Sequence, residues 1–179
     1  AVDDPPVTAV DDYVSDLVDL LDALHVDRAV VGGLSLGGYV AFALQRLASR
    51  YLQGVILADT RPQADSDAAR AGRLAMLAVL AEQGPRGVAD DMVPKLLGPT
   101  TRATRPSVEA AVRRWIDGNS PDGIAGAIRA MMRRPDSGSL LPKIDVPTLV
   151  IAGAEDIVTP PDVAEEMRRL IPRAELAIL

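Results

Sequence analysis

A serine flanked by glycines, Ser35 in the G-x-S-x-G string of residues 33–37, directly follows a short apolar, β-branched run. A serine hydroxyl becomes a useful nucleophile when a sharp turn projects it toward a base, and that turn requires residues without bulk where the backbone crowds itself. Gly33 and Gly37 meet this requirement, and Gly38 would let the following helix pack close to the strand. Strand, tight turn and helix is the structural context of a catalytic serine in this motif. We therefore predict that Ser35 is a nucleophile.

The residues after the motif strengthen this prediction. Small-residue clusters that contain serine are also frequent in ordinary turns, so the string alone is weak. After Ser35, however, apolar residues recur at helical spacing, which predicts a helix buried behind the serine. These apolar residues are Leu36, Tyr39, Val40, Phe42, Ala43, Leu44 and Leu47.

Two aspartates are candidates for the group that orients a catalytic base. Asp156 follows an apolar segment at residues 147–152. When a serine nucleophile of this motif works with an acid and a base, the serine precedes the acid in the chain, as Ser35 precedes Asp156. Its alternative interpretation is a turn-forming or helix-capping residue. Asp59 ends the apolar segment at residues 54–58 and is the second candidate, with a structural bond to backbone amides as its alternative. We expect Asp156 to be the acid.

Four apolar segments predict strands of a parallel sheet, because continuous apolar runs are typical of strands buried on both faces. They are residues 28–32, 54–58, 147–152 and 174–179. A helix capped by Thr8 is predicted to end near His25, and another is predicted to begin at residues 159–162 and to end at Ile171. The predicted fold class is therefore α/β, a parallel sheet flanked by helices.

Helical patterns dominate the region between the second and third strands. Breaks that contain proline separate four predicted helices, near residues 66–83, 87–97, 107–119 and 121–134. We predict a core of residues 1–60 and 140–179 and an inserted helical cap of residues 61–139. An insertion at the carboxyl ends of strands roofs the place where open α/β sheets bind ligands.

Some large apolar side chains of the predicted cap are candidate pocket residues. Methionine fills irregular gaps between helices, so most of this set is expected in an ordinary core. The set is Met76, Met92, Trp115, Met131 and Met132. We predict that Trp115, Met131 and Met132 line a substrate pocket, and that the substrate is small and partly apolar.

Composition limits the classes of function. The chain has 179 residues, 48% hydrophobic and 25% charged, as a globular enzyme has. Its net charge of −6 would repel a phosphate backbone or an anionic membrane, so neither nucleic acid nor membrane is an expected partner. Without a long apolar run or an export signal, a cytoplasmic location is expected. The lack of cysteine excludes a thiolate metal site, and a single histidine argues against a His-based metal cluster, so no metal is predicted. No cofactor is expected. The oligomeric state stays open.

Four segments resemble, in order and spacing, the α/β-hydrolase fold superfamily, and within it the esterase, enol-lactonase and cofactor-free haloperoxidase branch. They are residues 31–38, 57–61, 146–151 and 155–161. The resemblance implies that Ser35 is the nucleophile, that the Leu36 amide is one oxyanion donor, and that Asp156 orients the base. The implied activity is hydrolysis of a carboxylic ester or lactone through an acyl-serine intermediate.

Two pieces of that family's site have no match. The family's histidine follows the last strand, whereas the only histidine here, His25, precedes Ser35, the wrong order for the base. The second oxyanion amide would come from a loop ahead of the first helix. We therefore expect an excerpt of a longer hydrolase, inactive alone, with an exposed apolar edge on the strand before Ser35. Perhydrolysis and non-catalytic ligand binding on the same fold are the alternative functions.

Overall fold

The computed structural model describes residues 9–179 and contains one four-stranded sheet. Its strands are β1 (Ala29–Leu34), β2 (Leu52–Ala58), β3 (Thr148–Ala152) and β4 (Ala174–Ile178). They lie in the order β1-β2-β3-β4, and every neighbouring pair is parallel. The predicted α/β fold with a parallel sheet is confirmed. β2 begins two residues before the predicted Gly54, because Leu52 already pairs with Ala29 of β1.

Seven α-helices lie within the described residues. They are α1 (Val10–Ala23), α2 (Leu36–Ala48), α3 (Asp67–Leu96), α4 (Pro99–Thr104), α5 (Pro106–Asp117), α6 (Pro121–Arg133) and α7 (Pro161–Leu170). The predicted cap of α1, Thr8, lies outside the described residues. None of these helices is long and apolar enough to cross a membrane. The chain divides into two compact units, a helical unit of residues 65–133 and a sheet unit of residues 10–64 and 134–179.

The core of the sheet unit lies where α2 and α7 pack on the sheet, with α1 packed against α2. Connections between neighbouring parallel strands are right-handed, so the β1-α2-β2 and β3-α7-β4 connections place α2 and α7 on the same face. Side chains of that face are almost completely buried. They include Phe42 and Leu44 of α2, Leu57 of β2, Val150 of β3, and Met167 of α7. This packing fixes the carboxyl ends of the strands, where the candidate catalytic residues follow.

The strand before Ser35 is exposed on one side. Burial alternates along β1, with Val30 61% exposed and Leu34 66% exposed. β1 pairs with β2 alone among the strands of residues 9–179. The expectation of an exposed apolar edge is confirmed. The prediction that this strand is buried on both faces is wrong, because the packed helices cover only one face.

The helical unit is built around a small apolar cluster. Leu80, Val88 and Ala125 form its buried centre. Half-buried Met76, Leu77, Met92 and Ile124 pack around that centre. The two methionines therefore have the core role expected for most of their set.

The longest helix of this unit contains the predicted break. Within α3, Gly84 has a φ of 67° and a ψ of −166°, and Pro85 begins the second half. Positive φ suits glycine, and proline suits a first helical turn. The short helix α4 lies between the second and third predicted helices, because the proline that interrupts one helix there also starts the next. The domain limits at residues 60/61 and 139/140 stay a prediction.

Candidate active site

Ser35 occupies a strained turn between β1 and α2. Its φ is 51° and its ψ is −107°, a region that residues with a side chain rarely adopt. The Ser35 N–H donates to the Ala58 carbonyl at 2.9 Å, which ties the turn to the end of β2. The Ser35 hydroxyl does not cap α2. The turn is therefore held through the backbone, and the hydroxyl is left for another partner.

Two glycines make this turn possible, Gly33 inside the motif and Gly38 directly after it. A Cβ atom on Gly33 would lie 2.1 Å from the Gly37 carbonyl oxygen, far inside van der Waals contact. A Cβ atom on Gly38 would lie 2.3 Å from the Thr60 hydroxyl oxygen. A Cβ atom on Gly37 would meet no heavy atom within 4 Å. The prediction of a steric need is therefore confirmed for Gly33 and wrong for Gly37, while Gly38 permits the close approach predicted for it.

Thr60 supports the turn from the neighbouring strand. It follows the end of β2, is only 2% exposed, and its hydroxyl donates to the Ser35 carbonyl oxygen at 2.8 Å. The same hydroxyl lies against Gly38. Sequence reasoning missed this residue, because a threonine 25 positions away gives no local sign that it reaches the serine.

Both candidate acids lie at the same edge of the sheet as Ser35. β1, β2 and β3 are parallel, so their carboxyl ends share one edge, and Ser35 directly follows β1. Asp59 directly follows β2, and its N–H donates to the Ile151 carbonyl of β3 at 2.9 Å. Asp156 follows β3 after a tight turn in which its N–H donates to the Gly153 carbonyl at 3.1 Å.

Asp156 accepts hydrogen bonds from the segment that precedes α7. Its Oδ1 accepts from the N–H groups of Val158 at 2.7 Å and Thr159 at 2.9 Å, and its Oδ2 accepts from the Thr159 hydroxyl at 2.5 Å. The turn-forming interpretation of Asp156 therefore describes part of its role. These bonds also hold the carboxylate in one orientation.

The two aspartates interact, and their pKa values shift in opposite directions. Burial raises the pKa of Asp59 above its ordinary 3.8, and the nearby Asp156 also raises this pKa. The hydrogen bond that the Gly153 N–H donates to Asp59 lowers it, but not enough to reverse the shift. For Asp156, burial alone would raise the pKa, but the bonds from Thr159 and Val158, with one from Asp59, lower it below 3.8. Asp156 is therefore the more acidic member of the pair, and Asp59 keeps its proton to a higher pH.

Comparison with known proteins assigns this arrangement to a family. The profile of the alpha/beta hydrolase fold matches residues 3–179. The chain belongs to the alpha/beta hydrolase family.

Members of this family resemble the chain in sequence and structure. A thermophilic esterase from Thermogutta terrifontis is 37% identical, with a TM-score of 0.93, over 98% of this chain and 65% of the esterase. The enol-lactonase from Burkholderia xenovorans LB400 is 25% identical, with a TM-score of 0.87, over 99% of this chain and 66% of that chain. The 3-oxoadipate enol-lactonase 2 of Acinetobacter baylyi is 27% identical over 84% of this chain.

This hydrolase chain is shorter than its relatives. It spans 55% of the Acinetobacter enzyme and about two thirds of each solved structure.

The other predicted site residues lie on different elements. Leu36 is the first residue of α2, and the N–H groups of a first helical turn have no partner within the helix. Met131 and Met132 are half-buried on α6 of the helical unit. Trp115, on α5, is 70% exposed, so its indole is not part of the unit's core.

His25 lies at the opposite edge of the sheet. It follows α1 and precedes β1, whereas Ser35 follows the other end of the same strand. An imidazole at the amino end of β1 cannot take a proton from Ser35, which agrees with the chain-order argument. Within residues 9–179, no group of three His, Cys, Asp or Glu side chains could hold a metal ion.

Proposed function

We propose that the natural polypeptide that carries this chain hydrolyses a carboxylic ester or lactone through an acyl-serine intermediate on Ser35. The observation that carries the proposal is the strained Ser35 turn at the carboxyl edge of a parallel sheet, with an ionised Asp156 at the same edge. Two of the similar proteins are named enol-lactonases and one is named an esterase.

In the first step, the Ser35 Oγ bonds to the substrate carbonyl carbon, and the hydroxyl proton passes to a general base. The carbonyl oxygen becomes an anion that the Leu36 N–H stabilises from the start of α2. When the tetrahedral intermediate collapses, the bond to the alcohol oxygen breaks and that oxygen takes the proton from the base. Water then attacks the acyl-serine by the same route and releases the carboxylic acid.

Asp156 orients the base in this mechanism. An orienting acid must be ionised, because it holds the imidazole in the working tautomer and stabilises the cation that forms. The lowered pKa of Asp156 meets this requirement best, because the raised pKa of Asp59 makes Asp59 the less readily ionised of the two. The imidazole itself must come from outside residues 1–179, since His25 lies at the wrong edge.

Three residues of the helical unit determine which substrates are accepted. Trp115, Met131 and Met132 select the acyl group of the substrate, because large apolar side chains favour apolar substrate groups. The bond-making atoms belong to the sheet unit, so changes at these three residues alter the choice of substrate more than the chemistry.

Labelling with a fluorophosphonate tests the proposal, because only an activated serine reacts with this probe. We expect covalent labelling and hydrolysis of an activated ester by the natural polypeptide, and loss of both in Ser35→Ala. Ser139→Ala, a serine change outside the Ser35 turn, is the control and should retain both. Ester hydrolysis that persists in Ser35→Ala with unlabelled protein would overturn the acyl-serine mechanism.

The isolated 179-residue chain provides a second test. Without a base to take the hydroxyl proton, it should fold but fail to turn over an activated ester. Turnover that disappears in Ser35→Ala and survives in His25→Ala would require a base inside this chain, against the proposed mechanism.

A further inference from the structure

An open groove of about 490 Å³ lies on the surface of the helical unit. Two helices of the unit line it, α3 with Arg70, Leu74 and Leu77, and α6 with Arg129, Met132 and Arg133. We call it the arginine groove. A volume of this size is within the range of sites that bind small molecules, which is about 300 to 1,000 Å³.

Helical spacing explains why these six side chains meet. Residues three, four or seven apart share one face of a helix, and the α3 residues at 70, 74 and 77 have that spacing. The α6 residues at 129, 132 and 133 have it too. Leu77 also packs against the apolar cluster of Leu80 and Ala125, which anchors the floor of the groove. The groove is therefore a fixed product of the α3–α6 packing.

The floor of the groove is apolar and open to water. Leu74 is 57% exposed, while Leu77 and Met132 are half-buried. Burying apolar surface of this kind against a ligand is favourable by about 25 cal/mol per Å². The groove therefore favours a ligand with an alkyl chain.

The three arginines of the groove have no acidic partner in the part of the chain that the structure describes. No carboxylate of residues 9–179 forms an ion pair with Arg70, Arg129 or Arg133. Other arginines of the unit are paired: Arg73 lies 3.3 Å from Asp65, and Arg113 lies 2.6 Å from Asp90.

This lack of partners is notable in an acidic chain. The sequence has 25 acidic and 19 basic residues, so carboxylates are abundant, yet none within residues 9–179 pairs with the groove arginines. Three like charges around one concavity attract an anion, and guanidinium groups bind carboxylate and phosphate oxygens in pairs.

We propose that the arginine groove binds a single-chain amphipathic anion, with its alkyl chain on Leu74, Leu77 and Met132 and its head group between the guanidinium groups. Either half alone would bind weakly, because exposed ion pairs contribute little and an open apolar floor buries little surface. A ligand that satisfies both halves gains both contributions. This inference does not depend on the proposed esterase activity.

Calorimetric titration of the 179-residue chain with sodium decanoate, below its micellar concentration, tests the inference. We expect saturable binding of one decanoate that weakens as salt is raised. Decanol, which lacks the charge, and acetate, which lacks the chain, should each bind at least about tenfold more weakly. Decyl phosphate carries the second possible head group, and the tighter of the two anions identifies the head that the groove prefers.

Substitutions in the groove separate its two halves. Arg129→Gln combined with Arg133→Gln should weaken decanoate binding by about tenfold. Leu74→Ser should weaken it as well, and because Leu74 is exposed, the substitution should leave the fold intact. Arg86→Gln removes an exposed arginine of the same unit outside the groove and should leave binding unchanged, with equal melting temperatures throughout.

Three results would overturn the inference. One is the absence of decanoate binding. A second is decanoate binding that Arg86→Gln weakens as much as the groove variants do. The third is binding to vesicles of anionic lipid without binding to decanoate, which would assign the arginines to a membrane surface.

Discussion

The Ser35 turn and the arginine groove represent two ways of building a site on one chain. At the Ser35 turn, backbone atoms make the contacts: the Gly33 and Gly38 positions admit no Cβ atom, and the Thr60 hydroxyl holds the Ser35 carbonyl. At the groove, long side chains face water from two helices. Leu74, for example, is more than half exposed.

This difference follows from what each site must do. Bond-making groups must be held to within about 0.5 Å, so they sit on strand ends whose backbone has no freedom. Ligand selection tolerates mobile side chains, since binding can order them at a cost of about 0.5 to 1.5 kcal/mol each. We expect substitutions at the sheet edge to act on turnover and folding, and substitutions in the helical unit to act on selectivity.

The largest expected effect concerns the two aspartates. In the natural polypeptide, Asp156→Asn should lower kcat by about four orders of magnitude, because an amide cannot hold the base in its working tautomer. Asp59→Asn should retain most of kcat, since the amide oxygen can still accept the hydrogen bond from the Gly153 N–H and its NH2 group can donate to Asp156. Steady-state kinetics on both variants, with melting temperatures, checks this. Loss of turnover in a folded Asp59→Asn, with activity kept in Asp156→Asn, would exchange the two roles.

The next effect concerns the glycines of the turn. Gly33→Ala should lower the free energy of unfolding by about 3 kcal/mol, because the new methyl group overlaps the Gly37 carbonyl and the backbone must move. Gly37→Ala should leave that free energy unchanged or raise it by up to about 1 kcal/mol. Urea unfolding of the two variants measures this difference. Equal losses would show that the space around Gly37 is not free.

A smaller contrast is expected within the helical unit. Leu80→Ala, in the buried cluster, should cost about 2 kcal/mol or more, whereas Trp115→Ala should change stability by less than about 0.5 kcal/mol. In the natural polypeptide, Trp115→Ala should still change the ratio of kcat/KM for short and bulky acyl esters. An equal loss for all esters with a lower Tm would place the indole in a packed core instead.

The sequence was sufficient to predict features that depend on residues close to one another along the chain. The strand, Ser35 and α2 follow one another without interruption, and Gly84 with Pro85 marks the break in α3. Local spacing and turn chemistry determine such features, so a single sequence can predict them.

Features that depend on strand register could not be predicted. Thr60 reaches Ser35 because β2 lies beside β1, and Asp59 meets Asp156 because β2 also lies beside β3. The motif pattern also marked Gly37 rather than Gly38 as the second crowded glycine, since only the Thr60 contact distinguishes them. Contacts between residues far apart in the chain leave no local pattern to detect.

The smallest expected effect is the pH dependence of the aspartate pair. Asp156 has a lowered pKa in the folded chain, so its contribution to stability is present above pH 3.8 and is lost as the pH falls through its folded pKa. Asp59 has a raised pKa, so its contribution is present below pH 3.8 and is lost as the pH rises through its folded pKa. Carboxyl carbon NMR of the 179-residue chain should therefore show Asp59 titrating above 3.8 and Asp156 below it.

Variants separate the two contributions in this titration. Asp156→Asn removes the charge and one hydrogen-bond partner of Asp59, so the pKa of Asp59 should fall. Glu175→Gln, an exposed change on β4, controls for the loss of one negative charge and should leave the Asp59 titration where it was. If Asp59 titrates below Asp156, the proton resides on Asp156, and Asp59 becomes the ionised acid beside Ser35.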